Sequence, residues 1–314
     1  MAEETAGAGA HVTDAGTDAG TDARTDARTD AEKEPDTEPG AGIDTGIGTG
    51  IDTEVSLNIH VPHSARMYDY FLGGTTNFPP DREAAGRALA VFPYARTAAR
   101  ANRGFMRRSI RHLAESGIEQ FLDIGTGIPT SPNLHEIAQR VVPRARVMYA
   151  DNDPIVLIHA EALLQGTPEG FTAYVQADVN EPEALLDAAR DILDFTEPIA
   201  LSMNALLHFV PERAHQITEV FKAQLPRGSA LAISHLTPAF APEETERLAQ
   251  VYTAAGTPTR ARDRAEFARF FSGWELLDPG IVATPRWRPG QGGDGDEPTT
   301  DPEASCYGAV AVRR

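Results

Sequence analysis

The residues best placed for chemistry lie just past short apolar runs. Asp123 stands ahead of Gly125 and Gly127 in F-L-D-I-G-T-G-I-P-T, residues Phe121–Thr130. Glycine takes positive φ and lets a ligand approach the backbone closely. An apolar run, a glycine turn and a helical pattern form the unit in which a βαβ fold holds a nucleotide-like ligand. Asp151 follows a second apolar run. A carboxylate there can accept both hydroxyls of a ribose, while Asp153 is the better N-cap for the helix that Pro154 opens. Asp178 follows a third run and suits an adenine amino group, with the Val179 N–H for a ring nitrogen. Its bland alternative is a turn aspartate before Pro182. Asn204 and His208 come after a fourth run, and His235 after a fifth. An unperturbed histidine titrates near pH ~6.5, so His208 is the candidate general base. A structural or substrate-orienting role for it stays open. Asp123 either orients the glycine turn or reaches a ligand ammonium through water.

These positions separate two cofactor classes. A dinucleotide fingerprint wants G-x-G-x-x-G with a pyrophosphate at the helix start. Here the third glycine falls at Thr130, and Pro129 stiffens the turn. A ligand with an adenosine but no phosphates fits better, and its cationic groups suit the acids. That description points to S-adenosylmethionine, ahead of an NAD-dependent oxidoreductase. No clustered set of metal ligands is evident.

The elements that must position these residues follow from periodicity. Ser64–Leu72 reads as a helix ended by Gly73-Gly74, Asp81 to about Ala90 as a second and Thr97–Glu115 as a third. The third carries Phe105, Ile110 and Leu113 inward and an arginine series at 100, 103, 107, 108 and 111. That series reads as solvated surface, or as one arginine turned inward to an anionic ligand group. From Ile118 onward, strands Ile118–Ile124, Arg146–Ala150, Ala173–Ala177, Pro198–Met203 and Ser229–Ser234 alternate with helices. Such alternation predicts an α/β fold with a mostly parallel sheet and right-handed crossovers. Residues around 274–277 and 281–283 supply one further strand and Tyr307–Val312 a terminal one, as an antiparallel pair. Pro289–Ala304 reads as an exposed loop.

Composition bounds the rest. The 314 residues carry a net charge of −18, which disfavours binding to a nucleic-acid backbone. Residues 1–54 hold 14 acids and 3 bases, so the remaining chain is only mildly acidic. This stretch repeats T-D-A-G and T-D-A-R and has no aromatic residue, which predicts a disordered acidic tail. The single cysteine, Cys306, excludes an intrachain disulfide. No apolar stretch is long enough for a membrane span, and the N-terminus lacks a secretory pattern. A cytoplasmic protein is the default expectation.

Several strings together resemble an actinobacterial family of S-adenosylmethionine-dependent methyltransferases, mostly of unassigned substrate. They are H-V-P-H-S-A-R-M-Y-D-Y-F-L-G-G-T-T-N-F from His60, A-R-A-N-R from Ala99, the Phe121 string, Y-A-D-N-D-P from Tyr149 and L-H-F-V-P from Leu207. The resemblance covers roughly residues 56–314. It implies a Rossmann-like seven-stranded sheet, mostly parallel with the last strand antiparallel, plus N-terminal helices near the cofactor pocket. It implies that Asp123, Gly125 and Gly127 form the first cofactor motif, that Asp151 is the ribose acid, and that Asp178 and Val179 meet the adenine. Three regions follow: a tail at 1–54, a helical lid at 55–116 and the cofactor-binding domain at 117–314. Within the lid, Tyr70, Asn77 and Arg103 are candidate contacts to cofactor or substrate, Arg103 through the methionine carboxylate. Ordinary core packing is the alternative for Tyr70. The expected reaction is in-line methyl transfer to oxygen or nitrogen of a small molecule. A binding protein without chemistry is the reading from another class, and assembly into a homo-oligomer stays open.

Overall fold

The computed structural model describes residues 57–163, 166–290 and 298–314. The expected tail at 1–54 lies outside them. Three helices come first: α1 (Ser64–Leu72), α2 (Pro79–Val91) and α3 (Ala95–Glu115). Gly73 ends α1 in the left-handed region at φ 85°. Asp81 opens α2, its carboxylate accepting the Phe78 N–H at 2.8 Å.

The sheet then alternates with helices: β1 (Gln120–Ile124), α4 (Leu134–Val141), β2 (Arg146–Asp151), α5 (Pro154–Leu163), β3 (Phe171–Gln176), α6 (Pro182–Arg190), β4 (Ile199–Asn204), α7 (Ala214–Gln224) and β5 (Ala230–Leu236). After these come α8 (Pro242–Ala254), α9 (Arg264–Ala268), β6 (Glu275–Leu276), β7 (Val282–Ala283), α10 (Asp301–Ala304) and β8 (Cys306–Val312). Strands β1 to β5 are parallel, in the order β3-β2-β1-β4-β5. The chain reverses its direction of travel across the sheet between β1 and β4. Strand β8 lies antiparallel on β5, and β6 and β7 both pair antiparallel with β8. They act as one edge strand interrupted between Leu276 and Val282, which accounts for the single strand expected there.

Alternation along β1 sends neighbours to opposite faces. Phe121 packs with Phe105, Ile110 and Ile137 under α3 and α4. Leu122 and Ile124 pack with Ile217, Phe221 and Phe267 on the other side. Both faces are therefore covered, as a mostly apolar strand requires. Long α3 crosses β8 at Gly308, where a Cβ would meet the Phe105 ring at 2.9 Å. Phe105 meets the wholly buried Trp287 edge-on, with centroids 5.6 Å apart. Arg108 ties the same layer by donating to the Trp287 and Thr284 carbonyls, each at 2.7 Å.

One detail departs from the sequence reading, and a second adds to it. Residues 301–304 are helical rather than loop, capped by Thr300, whose side chain accepts the Glu303 N–H. The T-x-x-E signature was present and is a sufficient local reason. Residues 207–209 form a 3-10 turn just past β4, carrying His208.

Candidate functional site

A cavity of about 1400 Å³, its open mouth included, lies beyond the carboxyl ends of β1, β2 and β4. This is the crevice where open α/β sheets bind ligands. Gly125 and Gly127 sit on its wall at φ 72° and 69°, conformations that a side chain would strain. The Gly125 N–H donates to the Ala150 carbonyl at 2.8 Å, tying the turn to β2. The Gly127 N–H donates to Asp151 Oδ2 at 2.8 Å, and Asp151 Oδ1 accepts the Asp153 N–H at 3.0 Å. Asp151 is buried on this wall, and burial raises its pKa. It thus holds the turn while keeping lone pairs for a ligand.

Asp123 also lines the cavity. Burial raises its pKa to about 6, against hydrogen bonds from Ser202 and Thr126 and the charge of Arg103. Asn204 ends β4 and donates to Ser202 Oγ at 2.8 Å, leaving its buried Oδ1 without a partner. Ala205 follows at φ 53°, with its N–H on Ser234 Oγ at 2.9 Å. A non-glycine residue in the left-handed region costs about 1–2 kcal/mol. Such strain at a cavity wall marks a site worth its cost.

His208 is buried on the same wall. Burial first, and then Arg262, push its pKa down to about 3. The Leu236 N–H points to His208 Nδ1 at 3.5 Å, so the neutral ring carries its proton on Nε2. A ring so held is a poor proton acceptor, which corrects the expectation of a general base. His235 lies off the cavity. Its Nδ1 donates to the Leu236 carbonyl at 2.7 Å, and Arg262 donates to its Nε2 at 2.8 Å. Buried Arg262 also donates to the carbonyls of Leu207, Val210 and Pro211. It therefore pins the turn that carries His208 against the end of β5.

The N-terminal helices close the other side. Arg103 reaches the cavity wall, but its Nη2 donates to the carbonyls of Thr130 and Pro132, the latter at 2.7 Å. It braces the loop after the glycine turn. Arg108 also turns inward, likewise donating to backbone carbonyls. Tyr68 and Asn102, not among the expected contacts, line the cavity as a pair. Tyr68 Oη donates to the Ala99 carbonyl at 3.0 Å and accepts from Asn102 Nδ2 at 3.0 Å. At the start of α1, Arg66 lies 3.1 Å from Asp153 and 3.6 Å from Asp81, with His63 Nδ1 3.2 Å from Asp153.

Val179 lies on the wall with Ala177, but three expected residues do not. Asp178 turns to Asn180, accepting its N–H at 2.9 Å and its Nδ2 at 3.0 Å. Tyr70 packs under the Arg96 guanidinium, 4.7 Å from the ring centroid. Asn77 holds the α1–α2 turn through Asp69 and Gly74. In each case a nearby backbone or charged partner claims the side chain.

The wall is poorly made for phosphates. Its glycine-turn amide is spent on Asp151, and at the start of α4 the Glu136 carboxylate takes the Asn133 N–H at 2.9 Å. Two acids thus occupy the places where a pyrophosphate would need donors. Carboxylates at Asp123 and Asp151, with the orphaned Asn204 Oδ1, instead suit ribose hydroxyls and a ligand ammonium.

Comparison with known proteins agrees with this geometry. A family model described as S-adenosyl methyltransferase matches residues 51–314. A DUF574 family protein from Streptomyces avermitilis is 48% identical, covering 82% of this chain and 100% of its own, with a TM-score of 0.78. A candidate methyltransferase from Thermobifida fusca is 34% identical, covering 84% of this chain and 99% of its own, with a TM-score of 0.74. No curated protein matches the chain.

Proposed function

This chain belongs to the S-adenosyl methyltransferase family, and we propose that it methylates oxygen or nitrogen of a small molecule held at the strand ends. It is an S-adenosylmethionine-dependent enzyme with a Rossmann-like sheet. When bound, the cofactor supplies a methyl group on a sulfonium, ready for in-line displacement. The protein's share is then to align an acceptor and keep water out. Asp151 accepts the ribose hydroxyls, the Val179 region faces the adenine, and Asp123 meets the ammonium. Asn204 Oδ1 accepts a second proton near the methionine end. His208 offers its Nε2–H to orient the acceptor.

The observation that carries this reading is the double duty of Asp151, which fixes the glycine turn and still lines the cavity. A small acceptor is favoured because the site is an inward cavity in an acidic chain. Among the described residues no helix is long and apolar enough to cross a membrane. A place in specialised metabolism, and in the cytoplasm, is part of the same proposal.

Calorimetry on Asp151→Ala tests the site. Loss of S-adenosylmethionine binding is expected, and retained affinity would sink the assignment. Turnover against a metabolite library separates an enzyme with its acceptor from a binder without chemistry.

A further inference from the structure

The cavity has two unlike halves. Strand ends supply the acids, the glycine turn and Asn204. The helices supply apolar side chains: Phe71 of α1, Phe92 after α2, Ala99 and Met106 of α3, and Leu248 and Tyr252 of α8. Most of these side chains belong to a third apolar cluster, separate from the two that cover the sheet faces. Protein interiors are close-packed, and voids above water size are few. These apolar side chains pack together and also line the cavity, which gives its helical side the character of an apolar binding chamber.

The polar groups on the chamber's wall include Tyr68, Asn102, His208, Tyr252 and Cys306, together with Arg103 at its border, and His63 and Ser64 line the cavity at the start of α1. Each of the first five is uncharged near neutral pH. Burial holds the Tyr68 phenol and the Cys306 thiol up at about 12, raises Tyr252, and holds His208 down at about 3. The carbonyls of Thr130 and Pro132 draw Arg103 toward the glycine-turn loop. The Tyr68 hydroxyl proton is spent on the Ala99 carbonyl, so Asn102 must present its amide nitrogen to that oxygen. Its Oδ1 is left buried without a partner. A charged acceptor would lose its hydration against these apolar and neutral side chains, while the charged groups Asp123, Asp151 and Arg103 line the cavity at the strand ends and at their border, which makes burial of a charge among the helices costly.

Resting on the methyltransferase reading, we propose that the acceptor is an uncharged, largely apolar molecule whose polar group is a hydroxyl or neutral N–H. Its rings or chain fill the helical chamber. Its protic group meets the Asn102 and His208 side of the wall, facing the strand ends.

The test uses three probes of matched shape: 2-naphthol, 2-naphthoate and 2-naphthylmethylammonium. Each is titrated at pH 7.5 into the full chain, with and without saturating S-adenosylhomocysteine. We expect 2-naphthol to bind at least about tenfold more tightly than either ion. Leu248→Trp, which fills the chamber, should abolish that binding and leave S-adenosylhomocysteine binding intact. Tyr252→Phe is the milder second variant and should retain the neutral preference. Equal or tighter binding of either ion overturns the inference, as does no naphthol binding up to millimolar concentration. Either result leaves the cofactor reading standing. That reading fails separately, if S-adenosylhomocysteine does not bind.

Discussion

Asp151 and Gly127 are joined by a 2.8 Å hydrogen bond that makes the end of β2 and the glycine turn a single wall. Asp151→Asn keeps the size of the side chain but leaves one oxygen to serve the Gly127 and Asp153 amides. A hydrogen bond lost to a charged group is worth about 1.5–3 kcal/mol. We expect S-adenosylmethionine affinity to fall by roughly tenfold to a hundredfold, read by calorimetry. Thermal unfolding should fall by only a few degrees.

Asp123 gives the site a pH dependence. Its carboxyl titrates at about 6, so it is neutral below and anionic above. On the proposed assignment of Asp123 to the S-adenosylmethionine ammonium, affinity for S-adenosylmethionine should weaken as pH drops from 7.5 to 5. Methylthioadenosine lacks that ammonium and should show little change. Asp123→Asn should flatten the difference between the two ligands.

Two buried histidines contribute to the acid limit of stability. His208 titrates at about 3 and His235 well below its ordinary value, whereas unfolded histidines take up protons near pH ~6.5. The unfolded chain thus binds more protons, and stability should drop as pH falls below ~6.5. Asp123 runs the other way: its raised pKa contributes stability below ~3.9 that is lost as pH rises through about 6. Urea unfolding at pH 7.5 and 5.5 reads the balance. Replacing His208 by Asn should shallow the acid loss, and an unchanged slope would count against its burial as a neutral ring.

Arg262 is the fastener of the His208 turn. Arg262→Leu strips donors from three carbonyls and from His235 Nε2 at once. Buried acceptors left unpaired cost about 1–3 kcal/mol each, with partial relief as the turn relaxes. We expect a loss of about 3 kcal/mol or more in urea unfolding. Arg262→Lys, with three donors on one nitrogen, should recover part of it.

Much of this molecule was legible in its sequence because each level agreed with the next. Apolar runs, helix caps and glycine turns lie where the elements begin and end, and Asp123, Asp151 and Asn204 occupy strand ends that topology brings together. Three candidates lie off the cavity wall because each meets another partner: Asp178 meets Asn180 two residues on, Tyr70 meets Arg96 of α3, and Asn77 meets Asp69 of α1. The pairing of Tyr68 with Asn102 spans 34 positions, and that of Arg108 with Trp287 spans 179. No periodicity encodes contacts at such separations. His208 was found by its place after β4, but its weakness as a base depends on burial and Arg262, which only folding supplies.

The split of the cavity between strand ends and helices has an evolutionary consequence. Residues proposed to grip the methyl donor sit at strand ends and in a backbone turn held by the sheet. Residues that shape the second compartment, such as Phe92, Leu248 and Tyr252, are single side chains projecting from separate segments. Descendants could trade one acceptor for another by a few point changes there, without relearning how to hold the methyl donor.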